Sequence, residues 1–315
     1  MRVLVCTLLL HLALLADAVA QQVADTSFNP EIMSPAYPPA AGPTVLIDEA
    51  HHNFHTAGGR YLPFAQLLRR DGYVVEPSRT RFARAALVEA DILVISNALG
   101  EENVEDWSLP TASAFDSAEI TAVRDWVAEG GALFLIADHM PMPGAAEELA
   151  AAFGILFGNG FVFDRDERES ILVFRRADNS LAEHPIVRGR FPEERVDSVA
   201  TFTGQGFRCE SQLEPLLVLG SRTVLLLPEV AWEFSERTPR LSASGMLQGA
   251  VLRYGRGRVA VFGEAAMFSA QRAGGQEDSA FGMNSPMAAQ NPQFLLNVVH
   301  WLSGLLDDVG TTGGG

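Results

Sequence analysis

The stretch DSAEITAVRDWVAEGGALFLIADH, residues 116–139, decides the fold. Its first half sets Ile120, Val123, Trp126 and Val127 on one helical face, and Gly130-Gly131 stops the helix. Ala132 to Ala137 follows as an unbroken apolar run, and the chain leaves it through Asp138-His139. A one-striped helix feeding a strand that is apolar on both faces is the unit of a parallel sheet covered on both sides.

The same grammar extends outward. Thr44 to Asp48 is a short strand ending in charge, and Tyr61 to Arg70 carries Leu62, Ala65, Leu67 and Leu68 at near-helical spacing before Asp71-Gly72. Tyr73 to Val75 reads as a second strand, Arg81 to Glu89 as a helix and Asp91 to Ile95 as a third strand. Ala145 to Phe153 reads as another helix. The second half is less regular, with strand-like runs at Ser170 to Phe174, Val196 to Thr203 and Leu216 to Leu227. Leu247 to Tyr254 and Arg258 to Phe262 flank a hairpin turn at Gly255-Arg256-Gly257, and Pro292 to Leu302 is a closing helix. The expectation is an α/β fold: a mostly parallel sheet, strand order two-one-three-four, helices on both faces, and a β-rich insertion in the second half. Residues 44–304 form this domain, after an extended lead-in at 21–43 rich in Pro, Ala and Gln and before a flexible Gly/Thr tail at 305–315. A separate β-rich unit over about 160–245 is the competing division.

The amino terminus reads as an address. Met1-Arg2, an apolar run from Val3 to Leu15 and Ala18-Val19-Ala20 before Gln21 describe a cleavable secretory signal over residues 1–20. The run is shorter than the roughly 20 residues of a membrane span, so a secreted or periplasmic protein with no membrane attachment after cleavage is expected. With 23 basic against 39 acidic residues the net charge is −16, which disfavours nucleic acid and anionic membranes as partners. Cys209 alone would remain after cleavage, so no intramolecular disulfide is available and stability rests on the core.

In open parallel sheets, ligands bind beyond the carboxyl ends of the strands. Here those ends carry Asp48-Glu49-Ala50-His51-His52-Asn53-Phe54-His55, then Ser96-Asn97, Asp138-His139 and Gly263-Glu264. Four of the six histidines beyond residue 20 lie at these exits. Imidazole and carboxylate together suit a borderline divalent cation, zinc above others, with His51, His52, His55, Asp138 and His139 as candidate ligands. Glu49, His52, Asp138, His139 and Glu264 are the candidate catalytic groups. No His-Glu-x-x-His and no Cys pair sharpens the metal reading. Two others stand beside it: Asp48 and Asp138 as caps with histidines ordering a polar cleft, and metal-free acid–base chemistry by a histidine–carboxylate pair. A Gly-x-Ser-x-Gly elbow is absent, and Cys209 reads as structural. Gly58-Gly59-Arg60 reads as a turn, Arg256 and Arg258 as solvated, His184 as a surface residue and His300 as a packing residue.

Val45 to His55, Gly59-Arg60-Tyr61 and the helix closing on Asp71-Gly72-Tyr73 resemble the opening of the class I glutamine amidotransferase-like superfamily. Trp126 to His139, Gly257 to Phe268 and Asn291-Pro292 to Gly304 fit the same pattern. The nearest resemblance is to uncharacterised secreted members, related to trehalose-utilisation-type proteins and to gliding-motility and intraflagellar-transport domains. It implies a flavodoxin-like sheet. True amidotransferases carry a nucleophilic Cys after a central strand, whereas Leu133 to Ala137 here delivers Asp138-His139. The expected function is therefore a metal-assisted hydrolase of a small-molecule or glycan-derived substrate, not a glutamine amidotransferase. The alternative is a non-catalytic carbohydrate- or ligand-binding domain of the same fold.

Overall fold

Nine strands build the central sheet of the computed structural model, which describes residues 22–165, 171–209, 213–273 and 280–307. The expected signal at 1–20 and the end of the expected tail, 308–315, lie outside the described residues. In chain order the strands are β1 (Thr44–Asp48), β2 (Val74–Ser78), β3 (Ile92–Ser96), β4 (Ala132–Ile136), β5 (Ile155–Phe157), β6 (Phe207–Cys209), β7 (Glu214–Val218), β8 (Leu247–Tyr254) and β9 (Gly257–Phe262). They lie in the order β2-β1-β3-β4-β9-β8-β6-β5, with β7 also paired to β8. The first five in that row run parallel, which includes the two-one-three-four order expected from the sequence. From β9 onward the pairing turns antiparallel through the Gly255-Arg256-Gly257 hairpin, so the sheet is mixed.

Alternate residues of the parallel strands feed two cores. Val45, Ile47, Ile92, Val94, Phe134, Ile136 and Phe262 pack against α1 (Leu62–Arg70) and the closing helix α3 (Asn291–Leu302). Leu93, Ile95, Leu133, Leu135, Val259 and Val261 pack on the other face, against Val123 and Val127 of α2 (Ser117–Ala128). Helices cover both faces because strands buried on both sides leave no face for water. Each fully buried Val, Leu, Ile or Phe stabilises the fold by about 1.5–3 kcal/mol. Helix α2 starts on a capping box, with the Asp116 carboxylate accepting the Glu119 amide and the Glu119 carboxylate accepting the Asp116 amide.

Several elements differ from the sequence expectation. The Ala145 to Phe153 helix is two short turns, Met142–Ala145 and Glu147–Ala151, in a segment that carries Pro141, Pro143 and Gly144. Only Arg84–Leu87 of the Arg81 to Glu89 stretch is helical. The Leu216 to Leu227 run is broken between Val218 and Thr223 into two strands of different sheets. The described part of the lead-in is pinned: Gln22–Ala24 pairs antiparallel with Ala270–Ala273, and Phe28, Ile32, Ala36 and Tyr37 pack on the core. Among the described residues, no helix is long and apolar enough to cross a membrane.

Candidate functional site

The exits of β1, β3, β4 and β9 converge on one small cavity of about 90 Å3, lined by His55, Asn97, Asp138, His139 and Glu264 among others. That is room for about three water molecules at liquid density. Asn97, in the left-handed region at φ 52, clamps the exits together. Its side chain accepts the Asp138 amide at 2.9 Å and its carbonyl accepts the Phe54 amide at 2.9 Å. Asn is one of the few residues that takes this conformation readily.

Glu264 is the most confined acid of the group. Its two carboxylate oxygens accept the amides of Ala266 and Met267, each at 2.7 Å, and the Phe202 amide adds to them. Burial and the nearby Asp138 push its pKa well up, against the pull of those amides. One Asp138 oxygen accepts the His139 amide at 2.8 Å. The His139 Nδ1 lies 2.8 Å from the Met140 carbonyl, so it carries the proton, and in the neutral ring Nε2 is an acceptor. That ring stacks on Phe161 at 4.7 Å and meets Trp232 edge-on at 4.6 Å. His55 is only 3% exposed, and its Nδ1 has no partner in the protein. Burial pushes its pKa down to about 3, with Arg60 and His139 adding to the effect, so the ring is neutral at ordinary pH.

Three expected residues lie elsewhere. His51 points into a buried clamp: Nδ1 sits 2.9 Å from Asp48 Oδ2 and Nε2 sits 2.9 Å from Glu119 Oε1, between the rings of Phe82 and Phe115. With both nitrogens engaged by carboxylates it has no lone pair for a metal. His52 is exposed, at φ 48, and does not line the cavity. Glu49 accepts the Ala57 amide and pairs with Arg79, also outside the cavity. Among the described residues no three His, Cys, Asp or Glu side chains are grouped so as to hold a metal ion. The donor set expected for zinc is not assembled.

Two more expectations change. His184 is buried, accepts the Ile186 amide and contacts Glu214 at 3.2 Å. Arg258 is buried, donating to the Trp301 carbonyl, pairing with Asp307 and lying over the Trp301 ring. His300 packs as expected but also pairs with Asp71 at 2.7 Å. Sequence reasoning missed Trp232, Gln271 and Glu119. An aromatic pair in the acidic run Glu229 to Glu236 was the available signal for Trp232, and the capping-box spacing the one for Glu119; Gln271 offered none.

Close backbone packing holds Glu264 in place. Gly204 sits at φ +88, and a Cβ there would run into the Gly263 carbonyl and lie 2.9 Å from Glu264 Cβ. Gly204→Ala is expected to cost about 3 kcal/mol from positive-φ strain and the clash. Urea unfolding checks this; an unchanged midpoint would mean that the two backbones are free to separate.

A larger cleft, about 460 Å3, opens at the other end of the sheet between Arg84, Asp91, Trp126, Glu129 and Ser303. None of its lining residues is a histidine or carries a buried unpartnered polar atom, so the chemistry concentrates at the smaller cavity.

No protein-family profile and no curated protein matches the chain. Solved structures do. The mmIFT52 N-terminal domain superposes with a TM-score of 0.55 at 14% identity, over 83% of this chain and 97% of that one. The likeness is one of fold. A ThuA-like protein from Bacteroides uniformis gives 0.48 at 13% identity, over 87% of this chain and 94% of that one. A cytoplasmic protein from Salmonella typhimurium gives 0.48 at 14% identity, over 82% and 98%. Among these neighbours are a ThuA-like protein and an intraflagellar-transport domain, the kinds of domain named in the sequence resemblance.

Proposed function

We propose that the chain is an exported member of the class I glutamine amidotransferase-like superfamily, with a flavodoxin-like sheet, whose strand-end cavity binds a hydroxyl-bearing, sugar-like ligand and hydrolyses it by acid–base chemistry. The observation that carries this reading is the pairing of Glu264 and Asp138 in one cavity, with burial holding Glu264 toward its protonated form. Titratable partners in contrasting environments are how one site supplies both acid and base. Glu264 would give its proton to the leaving oxygen as the bond breaks. Asp138 would take the proton of the attacking water, and the two carboxyls would then exchange it. Neutral His55 adds a polar wall without a positive charge. The scheme is written with the cavity's own carboxyls, and the missing elbow Cys speaks against glutamine hydrolysis. Export is supported by the Met1 to Ala20 pattern alone.

A second reading, binding without turnover, is favoured by the amides that tie both Glu264 oxygens. The test is calorimetric binding and hydrolysis of glycan-derived oligosaccharides by the unaltered protein, Asp138→Asn and Glu264→Gln. Asp138→Asn should lower turnover by about 10²–10⁴-fold and leave binding within about tenfold. Binding with no turnover in the unaltered protein selects the second reading, and no binding at all removes both.

A further inference from the structure

Trp232 is a wall shared by two spaces. One side lines the 90 Å3 cavity, and the other lines a groove of about 740 Å3 formed by the 228–239 loop, with Val230, Glu229, Glu233 and Phe234. The loop is tied at its base, where the Leu109 amide donates to the Glu229 carbonyl and the Ala231 amide donates to the Trp107 carbonyl. Trp232 itself lies in the left-handed region at φ 70, which turns its ring inward against His139 and Phe161 while half of the residue stays exposed. Phe234 is 40% exposed beside it, and its ring meets that of Phe161 edge-on at 5.1 Å. An indole at strained φ, half exposed and continuous with a buried polar cavity, is positioned for contact with a ligand.

The two spaces ask for different parts of one molecule. Inside, His55 Nδ1 and Gln271 Oε1 are buried and unpartnered, and Asp138 adds a carboxylate. Gln271 Oε1 is an acceptor, and His55 Nδ1 donates or accepts according to its tautomer. A buried polar atom left unmet costs about 1–3 kcal/mol, so the occupant must bring hydrogen-bonding groups such as hydroxyls. The volume admits the edge of a hydroxylated ring, not a whole one with a neighbour. Outside, Trp232 and Phe234 offer aromatic faces, and Glu229 and Glu233 offer acceptors. Flat apolar faces edged by carboxylates suit the C–H face and hydroxyl rim of a pyranose. Resting on the reading above, we infer that the site takes the end of a saccharide chain: the terminal hydroxyl edge enters the cavity, and the following units lie along Trp232 and Phe234 in the groove.

Calorimetry on the full chain, with monosaccharides and linear oligosaccharides of glucose, mannose and N-acetylglucosamine up to six units, tests this. For one of these series, affinity should rise about tenfold or more from one unit to three and then level off. Phe234→Ala should abolish that rise while leaving the affinity for the single unit within about twofold. A melting temperature equal to that of the unaltered protein confirms that Phe234→Ala is folded, and Phe234→Tyr should restore the rise. Equal affinity for single units and chains, or a rise that survives Phe234→Ala, overturns the chain-end inference while the sugar-binding reading stands. Absence of binding to every saccharide, or binding of a small ammonium compound such as choline in their place, overturns both.

Discussion

His51→Leu will lower the free energy of unfolding by about 3–5 kcal/mol, a large part of what a domain of this size has to lose. The reason is geometric. The imidazole sits between Asp48 and Glu119, which favour its protonated form, and all three side chains are buried. Burial alone would push the His51 pKa down; Asp48 and Glu119 outweigh it and the net direction is up. Removing the imidazole leaves two carboxylates in a low-dielectric space, Asp48 answered by the Ala50 amide and Glu119 by the Phe82 and Asp116 amides and by the largely exposed Arg81 at 3.6 Å. The clamp also has a pH signature. A raised folded-state pKa means that the His51 contribution is whole below the unfolded value of about 6.5 and is lost as the pH climbs through the folded value. Urea unfolding at pH 6 and pH 9 should therefore show His51→Leu losing less at the higher pH. A loss under about 1 kcal/mol at pH 6 would show that the clamp is not charged.

His55 will act in the opposite direction. Its folded-state pKa is depressed to about 3 from 6.5, so its contribution is whole above 6.5 and is lost as the pH falls through that interval. Each pH unit should remove about 1.4 kcal/mol while only the unfolded state binds the proton. Over the range down to pH 4 this amounts to several kcal/mol. His55→Phe keeps a ring against Tyr61 and Phe54 and cannot titrate, so its stability should fall less steeply between pH 6.5 and pH 4. Parallel curves for the two proteins would assign the acid sensitivity to other groups.

Much of this was legible in the sequence. Parallel strands declare themselves by unbroken apolar runs, and those at Thr44, Val74, Ile92 and Ala132 lie in the two-one-three-four order expected of them. That Asp138, His139 and Glu264 meet followed from the rule that such strands end together. What could not be read was which way each polar side chain turns at an exit. His51, His52 and His55 lie within five residues, yet one is clamped inside, one is in water and one lines the cavity. The clamp partner Glu119 is 68 residues away, and its spacing to Asp116 advertised only a helix cap. Arg258 and His184 were misread for the same reason: a long or polar side chain in a turn reveals its burial only when its distant partner is known. Trp232 stood in a loop, where no periodicity separates a half-exposed aromatic from a ligand contact.

The strand Gln22–Ala24 brings a practical constraint. Gln22 lines the cavity, while Leu302 and Ser303, at the end of the closing helix, border the cleft at the far end of the sheet. An affinity tag or a sensor-chip linkage placed ahead of Gln22 would hang beside the cavity proposed to take the ligand. Attached after the closing helix, the same handle would stand a whole sheet length away, so binding assays should immobilise the protein by its carboxyl end.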